Sequence, residues 1–144
     1  MGQSILVVED EEVVRRFLGV QLSKLGHEVL EAEDGEKALF QLGLKHFDLI
    51  ISDIVMPNKD GWQLMREIQE SPKTRAIPVI VLTAKIEDTD MLKAYGCGAA
   101  YYIPKPFTMA QLLYGIQLIS SIDQAGKPTG SACILDDVET GPTH

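Results

Sequence analysis

The residue order predicts an α/β fold: a doubly wound parallel sheet with helices on both faces. Three observations carry this. Short apolar runs alternate with helix-period segments five times along the chain. The runs begin at intervals of about 20 to 30 residues, the spacing that a crossover through a helix requires. The runs are also almost purely apolar rather than alternating, as suits strands covered on both faces.

Ile5-Leu6-Val7-Val8 is the first strand, ended by Glu9-Asp10. A helix follows, with Val14, Phe17, Leu18, Leu22 and Leu25 forming one apolar face and Gly26 as its stop. Glu28 to Ala32 is a second, weaker strand. Asp34 fits an N-cap for a helix running to about Leu44, with Ala38, Leu39 and Leu42 inward. Phe47 to Ser52 is the third strand. The next helix spans about Trp62 to Glu70, with Leu64, Met65 and Ile68 buried, Trp62 a surface or interface aromatic and Pro72 just past the end. Val79 to Thr83 is the fourth strand, and a helix of thin apolar content is expected from about Glu87 to Tyr95. Ala99 to Ile103 is the fifth strand. Thr108-Met109-Ala110-Gln111 matches a capping box and opens a helix with Leu112, Ile116, Ile119 and Ile122 on one face. These elements place one domain at residues 3–123. Residues 124–144 begin with the linker-like Gly126-Lys127-Pro128-Thr129-Gly130-Ser131 and form a tail with no domain assigned.

A chain of 144 residues suits a single domain that buries roughly 70% of its unfolded surface. Its net charge of −8 excludes non-specific binding to nucleic acid or to anionic membranes, both of which need a basic footprint. No apolar run is long enough to span a bilayer, and Met1-Gly2-Gln3-Ser4 has no signal-peptide character. Cys97 and Cys133 lie far apart, as expected of free thiols in a reducing compartment, with the cytoplasm the expected location. His27, His46 and His144 are scattered and support no metal role.

Four strand runs end in chemistry-bearing residues: Glu9-Asp10, Asp53, Thr83, and Lys105 after Pro104. Ligands of open parallel sheets bind outside the carboxyl ends of the strands, at the switch point. If the first and third strands are neighbours, three carboxylates converge there. Carboxylates so close repel unless a cation neutralises them or one keeps its proton. Mg²⁺ suits the site because it takes one or two protein carboxylates and leaves room for a phosphate oxygen. Asp53 can then act as a nucleophile toward phosphorus, while the Lys105 ammonium and Thr83 hydroxyl meet the equatorial oxygens. Each residue also has a plainer explanation. Asp10 could cap the first helix, Thr83 could be a β-branched strand residue, and Lys105 a solvated loop lysine.

Four segments in order make the pattern specific: Ile5-Leu6-Val7-Val8-Glu9-Asp10-Glu11, Asp53-Ile54-Val55-Met56-Pro57 with Gly61, Val81-Leu82-Thr83-Ala84, and Tyr102-Ile103-Pro104-Lys105-Pro106-Phe107. Over about residues 3 to 123 the chain resembles the receiver domain of two-component response regulators, of chemotaxis-regulator type. The resemblance implies a (βα)5 flavodoxin-like three-layer sandwich with strand order 2-1-3-4-5. It implies that Asp53 is the phosphoacceptor, that Asp10, Asp53 and the Val55 carbonyl bind Mg²⁺ (with Mn²⁺ as a substitute), and that Glu9 acts through water. It further implies that Thr83 and Tyr102 form a switch pair and that the Lys105-Pro106 bond is cis. The implied partners are a sensor histidine kinase or a histidine phosphotransfer protein, and a homodimer formed on phosphorylation is compatible with the resemblance. Output would run through the surface of the fourth helix, fifth strand and fifth helix to a protein or fused domain that the sequence does not identify.

Val55 and Lys85 stand where such domains vary, and an apolar Val55 offers no help to an attacking water, so a persistent phosphoryl group is expected. A haloacid-dehalogenase-like phosphatase would need an acid at Val55, and a dinucleotide-binding domain would need G-x-G-x-x-G after the first strand. A binding module that is never phosphorylated would be expected to have a degenerate pocket; here every segment is present.

Overall fold

The structure is a computed structural model, described over residues 2–53, 61–83 and 98–122, with backbone alone at 61, 83 and 120–122. Five strands, β1 (Ser4–Val8), β2 (Glu28–Ala32), β3 (Leu49–Asp53), β4 (Val79–Thr83) and β5 (Tyr101–Pro104), form one sheet in the order β2-β1-β3-β4-β5. Every neighbouring pair is parallel. Four described helices accompany them: α1 (Glu12–Lys24), α2 (Gly35–Leu44), α3 (Gly61–Glu70) and α4 (Met109–Ile122). The helix expected from about Glu87 to Tyr95 lies outside the described residues, as do Val55, Lys85, Cys97, Cys133 and the tail.

Successive strand residues point to opposite faces, so each strand feeds two cores. Leu6, Val8, Ile50, Val79, Val81 and Tyr102 pack with Ala38 and Leu42 of α2 and Leu64, Met65 and Ile68 of α3. Ile5, Val7, Leu49, Ile51, Ile80, Leu82 and Ile103 pack with Leu18 and Leu22 of α1 and Leu112 and Ile116 of α4. The result is a flavodoxin-like three-layer sandwich in which β1, β3 and β4 are apolar on both sides.

Local sequence signals position the helices. The Asp34 side chain accepts a hydrogen bond from the Lys37 amide at 2.9 Å and so caps α2. At α4 the Gln111 amide donates to Thr108 Oγ1 (3.1 Å) and the Thr108 amide to Gln111 Oε1 (2.8 Å), which closes the capping box. Gly26 ends the α1 segment with φ of +95°, a conformation that side-chain-bearing residues avoid.

Several expectations need correction. Phe17 and Leu25 are about half exposed, not core. The inward seam of α1 is Val14, Leu18 and Leu22; Phe17 lies about 100° round the helix from Leu18, and Leu25 is already at the C-cap. Trp62, expected at the surface or an interface, is half-buried against the α2–α3 core. β3 begins at Leu49 and includes Asp53, while Phe47 is fully buried ahead of it. β5 is displaced to Tyr101–Pro104, where its register with β4 pairs Ile80 with Tyr101.

Candidate functional site: an acidic pocket at the sheet's switch point

The register builds the site. Val8 pairs with Ser52 across β1 and β3, so the residues that follow, Glu9 and Asp53, emerge side by side at the carboxyl edge. Order reverses at this point: β1 leads outward to β2, and β3 leads the other way to β4. At the next gap, Asp53 pairs with Leu82 and Thr83 with Pro104, which brings Lys105 to the same rim. The Lys105-Pro106 peptide is cis, as expected from the resemblance.

One carboxylate oxygen from each of Glu9, Asp10 and Asp53 lies within 4.8 Å of the others. Lys105 Nζ donates to Glu9 Oε1 at 2.9 Å and to Asp53 Oδ2 at 3.2 Å, with Glu11 Oε1 at 3.8 Å. Glu9 and Asp53 are buried, while Asp10 is exposed at the mouth. Three carboxyl groups at this separation fit a hard divalent cation, whose oxygen ligands stand about 2 Å from the metal.

The electrostatics show how crowded the pocket is. Burial pushes the Glu9 carboxyl up to about 7, with the Asp53 charge adding to the rise and the Lys105 hydrogen bond opposing it. Burial works against the Lys105 ammonium as well. The Glu9 hydrogen bond and the Asp53 and Glu9 charges outweigh it and raise the lysine above its ordinary value. A single lysine thus shares its charge among three acidic neighbours.

Two of the plainer explanations fail on this geometry. The N-cap of α1 is Glu11, with no side-chain cap bond, so Asp10 is not that helix's cap. Lys105 is only 17% exposed and bonded to two carboxylates, so it is not a solvated loop residue. Of the expected switch pair, the Thr83 backbone ends β4 beside the pocket, and the Tyr102 ring is buried in the α2–α3 core. Its neighbour Tyr101 faces the other way, against Tyr114 of α4 with ring centroids 6.4 Å apart. Two residues at the site had no role assigned from sequence: Glu11, which closes the first matching segment, and Arg15, which lies outside every segment. The Glu11 amide donates to Glu9 Oε2 at 3.2 Å, and Arg15 Nη1 donates to the Glu9 carbonyl at 2.9 Å. Only the folded turn between β1 and α1 brings them to Glu9.

Three carboxyl groups and a lysine thus converge at the switch point of a doubly wound parallel sheet, an acidic pocket of a kind that suits a divalent cation. The chain belongs to the response regulator receiver domain family, whose model matches residues 5–126, and so to two-component signalling. A probable transcriptional regulator, ycf27 of Galdieria sulphuraria, is 40% identical over 110 residues, covering 76% of this chain and 42% of that protein. The chain spans about half the length of the curated regulators it matches. Among solved structures, the chemotaxis protein CheY4 of Vibrio cholerae superposes with a TM-score of 0.78 at 28% identity, covering 83% of this chain and 99% of that one. The receiver domain of the sensor histidine kinase PA1611 of Pseudomonas aeruginosa superposes with a TM-score of 0.75 at 33% identity, covering 82% and 97%. That structure holds a magnesium ion in its active-site cleft.

Proposed function

We propose that the chain is a phosphorylation-dependent switch in which Asp53 accepts a phosphoryl group from a histidine kinase or phosphotransfer protein. The observation that carries this reading is the convergence of Glu9, Asp10, Asp53 and Lys105 at one switch point. The phosphorus–nitrogen bond of the donor phosphohistidine breaks as a bond forms from an Asp53 carboxylate oxygen to phosphorus, and the electron pair leaves with the imidazole. Bound Mg²⁺, or Mn²⁺ in its place, would neutralise the carboxylates and the incoming oxygens. Asp10 and Asp53 would hold it, with the Val55 carbonyl, and Glu9 would act through water. Lys105 would exchange its bond to Asp53 for one to the phosphoryl group, and Thr83 would meet another oxygen. Thr83 and Tyr102 would then relay the change to a surface formed by the segment near Glu87 to Tyr95, β5 and α4.

On this reading residues 3–123 are the switch and 124–144 a tail. The chain turns over no external substrate, and it works in the cytoplasm through protein partners rather than by direct contact with nucleic acid. The net charge of −8 supports this last point, because contact with nucleic acid needs a basic footprint.

Incubation with Mg²⁺ and acetyl phosphate, followed by intact-mass measurement, tests the assignment. The expected result is one acid-stable, hydroxylamine-labile phosphoryl group per chain, lost in Asp53→Asn. Rapid hydrolysis of the donor with no phosphoryl group accumulating on the chain would favour a phosphatase, and neither uptake nor hydrolysis would favour a plain binding module. Either outcome would refute the switch. The same assay tests Val55: its apolar side chain cannot orient water, so Val55→Asn is expected to shorten the lifetime of the phosphoryl group. A longer lifetime in the variant would refute this role.

A further inference from the structure

We infer that Arg15, braced by Glu31, is a positioning residue that aims the Glu9–Asp10 turn for cation binding; the inference rests on the metal-site reading above. Arg15 lies on the first turns of α1, and its hydrogen bonds go to a main-chain carbonyl and to Glu31 rather than to the three pocket carboxylates. Its guanidinium spans two acceptors. Nη1 donates to the Glu9 carbonyl at 2.9 Å, and Nε donates to Glu31 Oε1 at 3.3 Å, with the side chain only 12% exposed.

The Glu9 carbonyl belongs to the planar peptide that ends at the Asp10 Cα. A bond to that oxygen therefore restrains the direction in which the Asp10 side chain leaves the backbone. The other side of Glu9 is already fixed, since its amide donates to the Ala32 carbonyl at 3.0 Å. Arg15 thus holds the carbonyl side of Glu9 as the Ala32 carbonyl holds its amide side. Arginine suits the task because its rigid, permanently charged fork can hold two acceptors at once.

Glu31 is held in turn. It takes a second, longer contact from Arg16 Nε at 3.8 Å, and its carboxylate lies over Gly19. A Cβ at Gly19 would stand 2.7 Å from Glu31 Oε2, so only glycine leaves the carboxylate where it is. A chain of contacts therefore runs from a buried glycine in the middle of α1, through the end of β2, to the metal-facing turn.

Isothermal titration of the full chain with MgCl2 tests this, because charge and positioning predict opposite signs. As a mere charge, Arg15 repels the cation, and Arg15→Met would bind Mg²⁺ more tightly. As a clamp, its loss weakens binding by about tenfold, the usual consequence of removing a partner that orients a metal ligand. Gly19→Ala and Glu31→Gln, both remote from the pocket, are expected to weaken it in the same direction by less. Urea midpoints of each variant separate this from global destabilisation. Unchanged or tighter binding in Arg15→Met overturns the inference; should that variant not fold, unchanged binding in Gly19→Ala does so. If the wild-type chain itself takes up no Mg²⁺, the metal-site reading fails. The clamp is then judged without metal: an Asp10 amide resonance that stays put in Arg15→Lys, which keeps the charge and loses the fork, overturns it.

Discussion

Glu9 carries the electrostatic tension of the pocket, and its titration gives the tension a measurable form. Its carboxyl is 1% exposed and is raised from an ordinary 4.5 to about 7, chiefly by burial and then by Asp53. A carboxyl whose folded pKa is raised binds its proton more tightly in the native than in the unfolded state. Its contribution to stability is therefore full below pH 4.5 and lost as pH rises to about 7. The loss is at most about 3 kcal/mol, by the usual conversion of pKa shift to free energy. Urea unfolding of the metal-free chain in EDTA should show this decline relative to Glu9→Gln, which cannot titrate. Adding Mg²⁺ should oppose it, because the cation needs the deprotonated cluster and its stabilisation grows through the same window. A metal-free wild type whose stability relative to Glu9→Gln is flat or rises between these pH values would contradict the assigned burial. Lys105 adds a second signature outside the window. Its raised pKa contributes stability that is present below the ordinary lysine value and lost above the raised one.

At the scale of elements, what could be read from the sequence divides along a physical line. Strands buried on both faces were legible because burial leaves no polar positions: Val79–Thr83 was anticipated to the residue, and Ile5–Val8 lacked only Ser4. Caps were legible because they are local chemistry. Asp34 to the Lys37 amide and Thr108 to the Gln111 amide each span three residues and need no knowledge of the rest of the fold. The ends of β3 and β5 were not, because strand limits depend on the register of the neighbour rather than on the strand's own residues. Ala99 is buried and apolar like a strand residue, yet the paired strand starts at Tyr101. α1 misled for a related reason: periodicity marks a stripe but not its width, and only packing shows that Phe17 falls on the exposed flank while Leu18 falls inside. The candidate site followed the same division. The convergence of Glu9, Asp10, Asp53 and Lys105 could be anticipated because each lies at or just past the end of a strand, a position visible in sequence. Arg15 was missed because it sits inside a helix and reaches the site through a carbonyl, which has no sequence signature.

At the scale of the whole molecule, the sheet is the shared wall of two cores, and this dictates how the domain should unfold. Leu6 and Val8 face α2 and α3, while Ile5 and Val7 on the same strand face α1 and α4. Neither layer of helices can leave without exposing one side of strands that the other layer still needs. The chain should therefore unfold as a single cooperative unit. Trp62 is the only tryptophan and packs against the α2–α3 core, so its fluorescence reports on that face alone. Leu22 is fully buried on the opposite face beneath α1. Leu22→Ala should cost about 2–5 kcal/mol through lost burial and the cavity left behind. In urea it should lower the Trp62 transition midpoint as much as the far-UV circular dichroism midpoint, with the slope unchanged. Ile68→Ala, on the Trp62 side, should move both signals together as well, and the double variant should be additive to within about 0.5 kcal/mol because the sheet separates the two cavities. A Trp62 midpoint that stays in place while the dichroism shifts would mean that the two faces melt independently. The proposed switch would require the opposite: the wall that bears Asp53 at its rim is the wall both cores share, and one cooperative unit would let a change at the rim reach helices on either side.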